Sequence, residues 1–136
     1  MITSSTPAEI TLAPTTDPAS APAVPALVHA DDLLLNPASR TRRFVGAEHG
    51  SGISYFFVDY ETGQGTDLHW HPYPETWVVL EGEASLSIGE RRFTARVGDT
   101  ATVPTGVWHR FTNPGEGRLK MLCIHASPVI IQTWAD

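Results

Sequence analysis

Thr76-Trp-Val-Val-Leu-Glu-Gly-Glu-Ala-Ser-Leu-Ser-Ile-Gly-Glu-Arg-Arg-Phe-Thr-Ala-Arg-Val97 reads as three consecutive β-strands. The first, Thr76–Leu80, is rich in β-branched and aromatic residues and is closed by Glu81-Gly82. In the second, Ala84–Ile88, strict alternation puts Ala84, Leu86 and Ile88 on one face. A Gly89-Glu90 turn leads into Arg91–Val97, where Phe93, Ala95 and Val97 oppose Arg92, Thr94 and Arg96. The last two strands therefore form a hairpin with one buried face.

Working outward, the same texture continues. Upstream, Ile53–Tyr60 is aromatic and β-branched, and lies between Gly50-Ser-Gly52 and Gly63-Gln-Gly65. Downstream, Thr100–Val103, Val107–Thr112, Arg118–His125 and Val129–Thr133 read as further strands. A turn near Asp31–Leu35 is the one candidate for helical structure. Eleven Gly and eleven Pro in 136 residues supply the turns that many short strands require. The expectation is an all-β sandwich or closed barrel.

Composition narrows the function. The chain is long enough for one domain with a core and too short for two. Nine basic against fifteen acidic residues leave a formal charge of −6, which argues against nucleic acid or an anionic membrane as partner. No apolar run approaches the ~18 residues of a membrane span. The first Lys or Arg is Arg40, so the start lacks the basic signature of a secretory or transit peptide. A cytoplasmic protein is expected. The lone cysteine, Cys123, excludes both an internal disulfide and a multi-cysteine zinc site. Residues 1–26 stand apart: 19 of them are Pro, Ala, Thr or Ser, with no aromatic. That composition fits a disordered tail or an extended arm, and the domain proper is expected over residues 27–136.

Six histidines are many for this length, and their placement matters. In His69-Trp-His71 both imidazoles project from one face of a strand. Glu75 follows after Pro72-Tyr-Pro74, and alternation puts Trp77 and Val79 on its face. His109 shares the less polar face of Val107–Phe111. Three imidazoles and a carboxylate inside a small barrel make a mixed nitrogen and oxygen site. It suits Fe, Mn, Ni, Zn or Cu as a divalent ion and suits calcium badly.

Two spaced patterns frame these residues: Gly63-x5-His69-x-His71-x3-Glu75-x6-Gly82, and Gly98-x5-Pro104-x-Gly106-x2-His109-x3-Asn113. Both resemble, at all ten fixed positions, the two motifs of the cupin family. The fifteen residues between Gly82 and Gly98 resemble the short spacer of small single-domain bacterial cupins. The resemblance extends from about Ala26 to Trp134. It implies a double-stranded β-helix, that is, a jelly-roll barrel. It also implies one divalent transition metal per chain, held by His69, His71, Glu75 and His109.

Other residues are placed around that site by alternation. Met121, Cys123 and His125 share an inward face, and His125 is a candidate general acid or base, or a support for the ligands. Tyr73, beside the ligands, is the second catalytic candidate and is expected near the mouth. Trp77, Phe111 and Met121 are candidate pocket walls, with core packing the stronger alternative for Phe111. Cys123 is expected to fill core. The cluster Arg40, Arg42 and Arg43 reads as solvated loop charge, and no function attaches to His29 or His49. Trp70, Trp108, Trp134 and Val129–Ile131 offer material for a homodimer interface, with residues 20–35 a segment that would cross between subunits.

Fold and metal do not set the reaction. The leading expectation is an enzyme acting on a small organic substrate, of the Fe(II) dioxygenase type, cleaving a bond in a small enolisable or aromatic compound. The alternatives are a Lewis-acid lyase or isomerase with proton transfer, and a non-catalytic module that binds a metabolite or metal. No cationic clamp lies beside the ligands, so a highly charged phosphate is a poor substrate.

Overall fold

The computed structural model describes residues 24–136. The expected N-terminal arm lies almost entirely outside the described residues. The rest is β-structure with two short 3-10 turns, Ala30–Leu33 and Gly46–Glu48. The first of these is the helical turn expected near Asp31–Leu35. None of the described helices is long and apolar enough to cross a membrane.

Among the described residues, ten strands form two five-stranded antiparallel sheets. One runs in the order β1 (Arg42–Phe44), β2 (Ser54–Tyr60), β9 (Leu119–His125), β4 (Glu75–Glu81), β7 (Thr100–Val103). The other runs β10 (Thr133–Trp134), β3 (His69–Trp70), β8 (His109–Thr112), β5 (Glu83–Ile88), β6 (Arg91–Arg96). Strands β3, β4 and β5 are consecutive in the chain yet alternate between the sheets, so each passage from one to the next crosses the sandwich. This is the jelly roll.

The two-residue period is unbroken from His69 to Val79, where every odd-numbered side chain is buried. It runs straight through Pro72-Tyr-Pro74, so Tyr73 turns inward with its neighbours and is 8% exposed. The inner faces of both sheets meet in a core that includes Val58, Val79, Leu86, Leu119 and Met121. Burying side chains of this size contributes about 1.5–3 kcal/mol each. Gly82 closes β4 at φ +80°, and a Cβ there would lie 2.3 Å from the Arg118 carbonyl oxygen. Only glycine fits that corner.

Several expectations need correction. The hairpin of β5 and β6 forms, but Phe93 and Val97 are exposed and Ala95 alone is buried. β6 is the outer strand of its sheet, and its apolar alternation is not matched by cover from the other sheet. Val129–Thr133 is not a strand; only Thr133–Trp134 pairs, with β3. The Ile131 backbone is used instead to bond side chains (below), which removes it from any ladder. β1 was not expected: Arg42 and Arg43 sit in a strand rather than a loop. Arg42 donates to the Ala30 carbonyl at 3.1 Å. Arg40 pairs with Asp59 at 2.9 Å, and Arg118 pairs with the same carboxylate.

Candidate metal centre

Strand register assembles the site. His69 on β3 is the direct cross-strand partner of His109 on β8. Glu75 at the start of β4 is the direct partner of His125 at the end of β9. His71, two residues beyond His69, projects the same way. One ligand atom from each of His69, His71, Glu75 and His109 falls within 4.8 Å of the others, and all four residues are buried.

The imidazoles are oriented by their far nitrogens. Nδ1–H of His69 donates to the Asp67 carbonyl at 2.7 Å. Nδ1–H of His109 donates to the Val107 carbonyl at 2.8 Å. Nδ1–H of His71 donates to the Ile131 carbonyl at 2.8 Å, sixty residues away. A carbonyl oxygen only accepts, so Nδ1 carries the proton in each ring and Nε2 of the neutral ring carries a lone pair. Backbone carbonyls in this role are a common support for metal-binding histidines.

Two of those bare nitrogens face Glu75 directly. Its Oε1 lies 3.1 Å from Nε2 of His71 and 3.0 Å from Nε2 of His109. The His109 contact lacks hydrogen-bond alignment, so its Nε2 is buried with no hydrogen-bond partner. Lone pairs from nitrogen and a carboxylate facing at this distance repel unless a cation lies between them. Two donors each about 2.1 Å from one ion and at right angles to it lie about 3.0 Å apart, as these do. The donor set and its tautomers fit a divalent transition ion.

The electrostatics agree. Burial above all lowers the His69 imidazole to about 4; the Asp67 carbonyl opposes this and the neighbouring His109 and His71 add to it. Burial pushes the Glu75 carboxyl up, but the imidazoles of His109, His125 and His71 around it outweigh that and hold the group well below the usual carboxylate range. The site thus offers an imidazole at His69 that resists protonation and a carboxylate at Glu75.

Beside the ligands lies a cavity of about 350 Å³. His69, Glu75 and His125 open onto it, and Phe56, Trp77, Phe111 and Trp134 wall it. Trp77 and Phe111 are thus both core and wall, as their T-shaped contact at 5.1 Å shows. Met121, expected beside them, is fully buried in the core and is not among the lining residues. Cys123 is buried and contributes to both core and wall. No lysine or arginine is among the described residues lining the cavity.

Tyr73 is near the site but not on the cavity wall. Its hydroxyl lies 2.7 Å from Nδ1 of His125 and accepts from the Ile131 N–H at 3.0 Å. Trp134 packs on the His69 ring at 4.5 Å between centroids and remains half-exposed. The alternation had no means of finding the carbonyls of Asp67, Val107 and Ile131, because backbone groups have no residue signature. His49 stacks on Phe44 at 5.0 Å, away from the cluster.

Known proteins resemble this chain in two ways. By sequence it is 32% identical over 68 residues to polyketide synthase CurC of Streptomyces cyaneus, covering 49% of this chain and 44% of that protein. It is 33% identical over 67 residues to the uncharacterized protein MJ1618 of Methanocaldococcus jannaschii, covering 48% of this chain and 54% of that protein. The chain thus spans about half the length of these curated relatives. By structure it superposes on the oxalate decarboxylase of Lactobacillus farciminis in its formate complex with a TM-score of 0.70 at 23% identity, covering 79% of this chain and 35% of that one. The oxalate decarboxylase of Bacillus subtilis gives 0.65 at 23% identity, covering 70% and 27%. At this identity the structural likeness speaks to fold alone. The cupin-domain family model matches residues 56–125, a span that carries both spaced motifs in full and all four clustered residues. The chain belongs to the cupin family.

Proposed function

We propose that this chain is a metal-dependent enzyme acting on a small organic molecule, with dioxygenase chemistry on iron as the first reading. The observation that carries it is the set of three imidazole Nε2 atoms and Glu75 Oε1 turned toward one another at the foot of a walled cavity. A divalent ion held by His69, His71, Glu75 and His109 supplies Lewis acidity and, if it is iron, one-electron redox chemistry. Phe56, Trp77, Phe111 and Trp134 shield the site from bulk water and favour a flat, apolar substrate. Thr41 and Gln132, also on the wall, supply hydrogen bonds to orient it. The missing cations disfavour a polyanion. An aromatic or enolisable compound fits best, and the printed name of the relative CurC, a polyketide synthase, supports the same class.

A Lewis-acid lyase or isomerase is the second reading. It draws on His125, which lines the cavity beside Glu75 and could move a proton at Nε2. The deciding experiment is metal analysis of the protein as purified, with oxygen uptake across a panel of aromatic and β-dicarbonyl compounds. Iron with uptake supports the first reading. Zinc or nickel with turnover but no uptake supports the second. A fully loaded chain that turns over nothing overturns both.

A further inference from the structure

We propose that Tyr73 and His125 are a positioning pair that holds Glu75 with one oxygen toward the three imidazoles and the other turned away. The inference rests on the metal-site reading and concerns how that site is kept open.

Glu75 has two chemically identical oxygens in different surroundings. Oε1 faces Nε2 of His71 and of His109 at 3.1 and 3.0 Å. Oε2 faces Nε2 of His125 at 3.3 Å. The terminal torsion of a glutamate is soft and roughly two-fold, so nothing internal to the side chain maintains this difference. His125 does. It is the cross-strand partner of Glu75, is 1% exposed, and has no freedom to leave.

The direction of the hydrogen bonds follows from what each group can do. A carboxylate only accepts, so where His125 Nε2 and Glu75 Oε2 approach to 3.3 Å the proton between them sits on Nε2. In the neutral ring Nδ1 then accepts, and its partner at 2.7 Å is the Tyr73 hydroxyl. That hydroxyl accepts from the Ile131 N–H at 3.0 Å, and of its two possible acceptors, His125 Nδ1 at 2.7 Å and the Ile131 carbonyl at 3.4 Å, the nearer is His125. The chain of contacts thus runs from Ile131 N–H through Tyr73 O–H and His125 to Glu75 Oε2. Its origin, Ile131, also accepts from Nδ1 of His71. One backbone residue thus orients two ligands, one directly and one through Tyr73 and His125.

The consequence is a carboxylate that binds through a single oxygen. With three imidazoles this makes four protein donors, and a six-coordinate ion keeps two positions for molecules from the cavity. Released from His125, Glu75 would swing both oxygens inward and take one of those positions. Both ring nitrogens of His125 have partners while it holds Glu75.

The test uses the full chain, stripped of metal and titrated with Mn(II) alone. Electron paramagnetic resonance counts free Mn(II) and reports the zero-field splitting of the bound ion. His125→Phe keeps the bulk and removes the donor; it should weaken Mn(II) binding about 10–100-fold, the usual cost of losing support to a ligand, and change the splitting. His125→Gln restores an N–H near Nε2 and should recover most of the affinity and the wild-type splitting. Tyr73→Phe keeps the packing and should lose less, and in the double variant with His125→Phe it should cost nothing further, because it acts through His125. His125→Phe or Tyr73→Phe binding Mn(II) with wild-type affinity and splitting overturns the inference, even if either melts earlier without metal. Should His125→Phe fail to fold, Tyr73→Phe and His125→Gln decide it on the same readouts. A wild-type chain that takes up no Mn(II) overturns the metal-site reading, and this inference with it.

Discussion

His69 and His109 are cross-strand partners that solve the same problem in the same way. Their rings lie 4.3 Å apart, and each donates its Nδ1–H to the carbonyl two residues upstream. Both are aimed by the chain just upstream of their own strands. His71 differs: its carbonyl partner, Ile131, comes from the C-terminal segment. The site is therefore two locally determined ligands joined by two that depend on distant chain.

Removing the locally aimed pair should abolish the site. The double variant His69→Ala with His109→Ala is expected to purify with no bound metal. In the wild type, metal at a hundredfold excess over its Kd should add about 2.7 kcal/mol to stability, on the order of 10 °C in Tm for a domain of this size. The double variant should show no such shift. Elemental analysis and melting curves with and without metal check both; full metal content in the variant refutes the ligand assignment.

Removing the distant support should weaken the site without erasing it. A chain ending at Pro128 loses the Ile131 carbonyl, the Ile131 N–H and the Trp134 ring on His69. All four ligands remain. Metal affinity should fall by about 10-fold or more, the scale for loss of a support behind a ligand, and calorimetric titration with metal reads it. Unchanged affinity would mean that the local strand geometry suffices.

Acid should unfold the chain in part through Asp59. Burial raises this carboxyl, but hydrogen bonds and charge from Arg118 and Arg40 more than compensate and hold it below 3.8. In the unfolded chain it takes up a proton more readily, so protons favour unfolding. Its contribution is present in full above the unfolded value and is lost as pH falls through the folded one. Denaturant midpoints measured from pH 6 down to pH 3 should fall less steeply in Asp59→Asn than in the wild type. Parallel curves would remove Asp59 from the acid response.

Met121 separates core from cavity. It is fully buried in the core and absent from the cavity wall. Met121→Ala should cost about 2–5 kcal/mol of unfolding free energy, the usual range for such a truncation. Metal affinity should stay at the wild-type level. Denaturant unfolding and a metal titration on the same preparation test both halves.

Alternation accounts for much of what could be read beforehand. A strand repeats every two residues, so His69, His71, Glu75 and Trp77 had to share a face once they were strand, and the spaced glycines marked where strands end. The same rule misjudged Phe93 and Val97, because alternation says which side chains share a face and not whether that face is covered. Cover depends on the opposite sheet, and β6 is an outer strand. Met121 is absent from the wall for a related reason: sharing a face with Cys123 and His125 does not place a side chain on the cavity.

The ligand types, their common face and the all-β architecture are properties of neighbouring residues, and neighbouring residues are what a sequence displays. The pairings of Glu75 with His125, Tyr73 with His125 and His71 with Ile131 join positions 50, 52 and 60 apart. Such contacts exist only after the sandwich has closed, because strand register fixes them and no local preference does. A backbone carbonyl is present at every residue, so nothing in the letter at position 131 distinguishes it. The choice of Ile131 as the anchor of the site belongs to the tertiary structure.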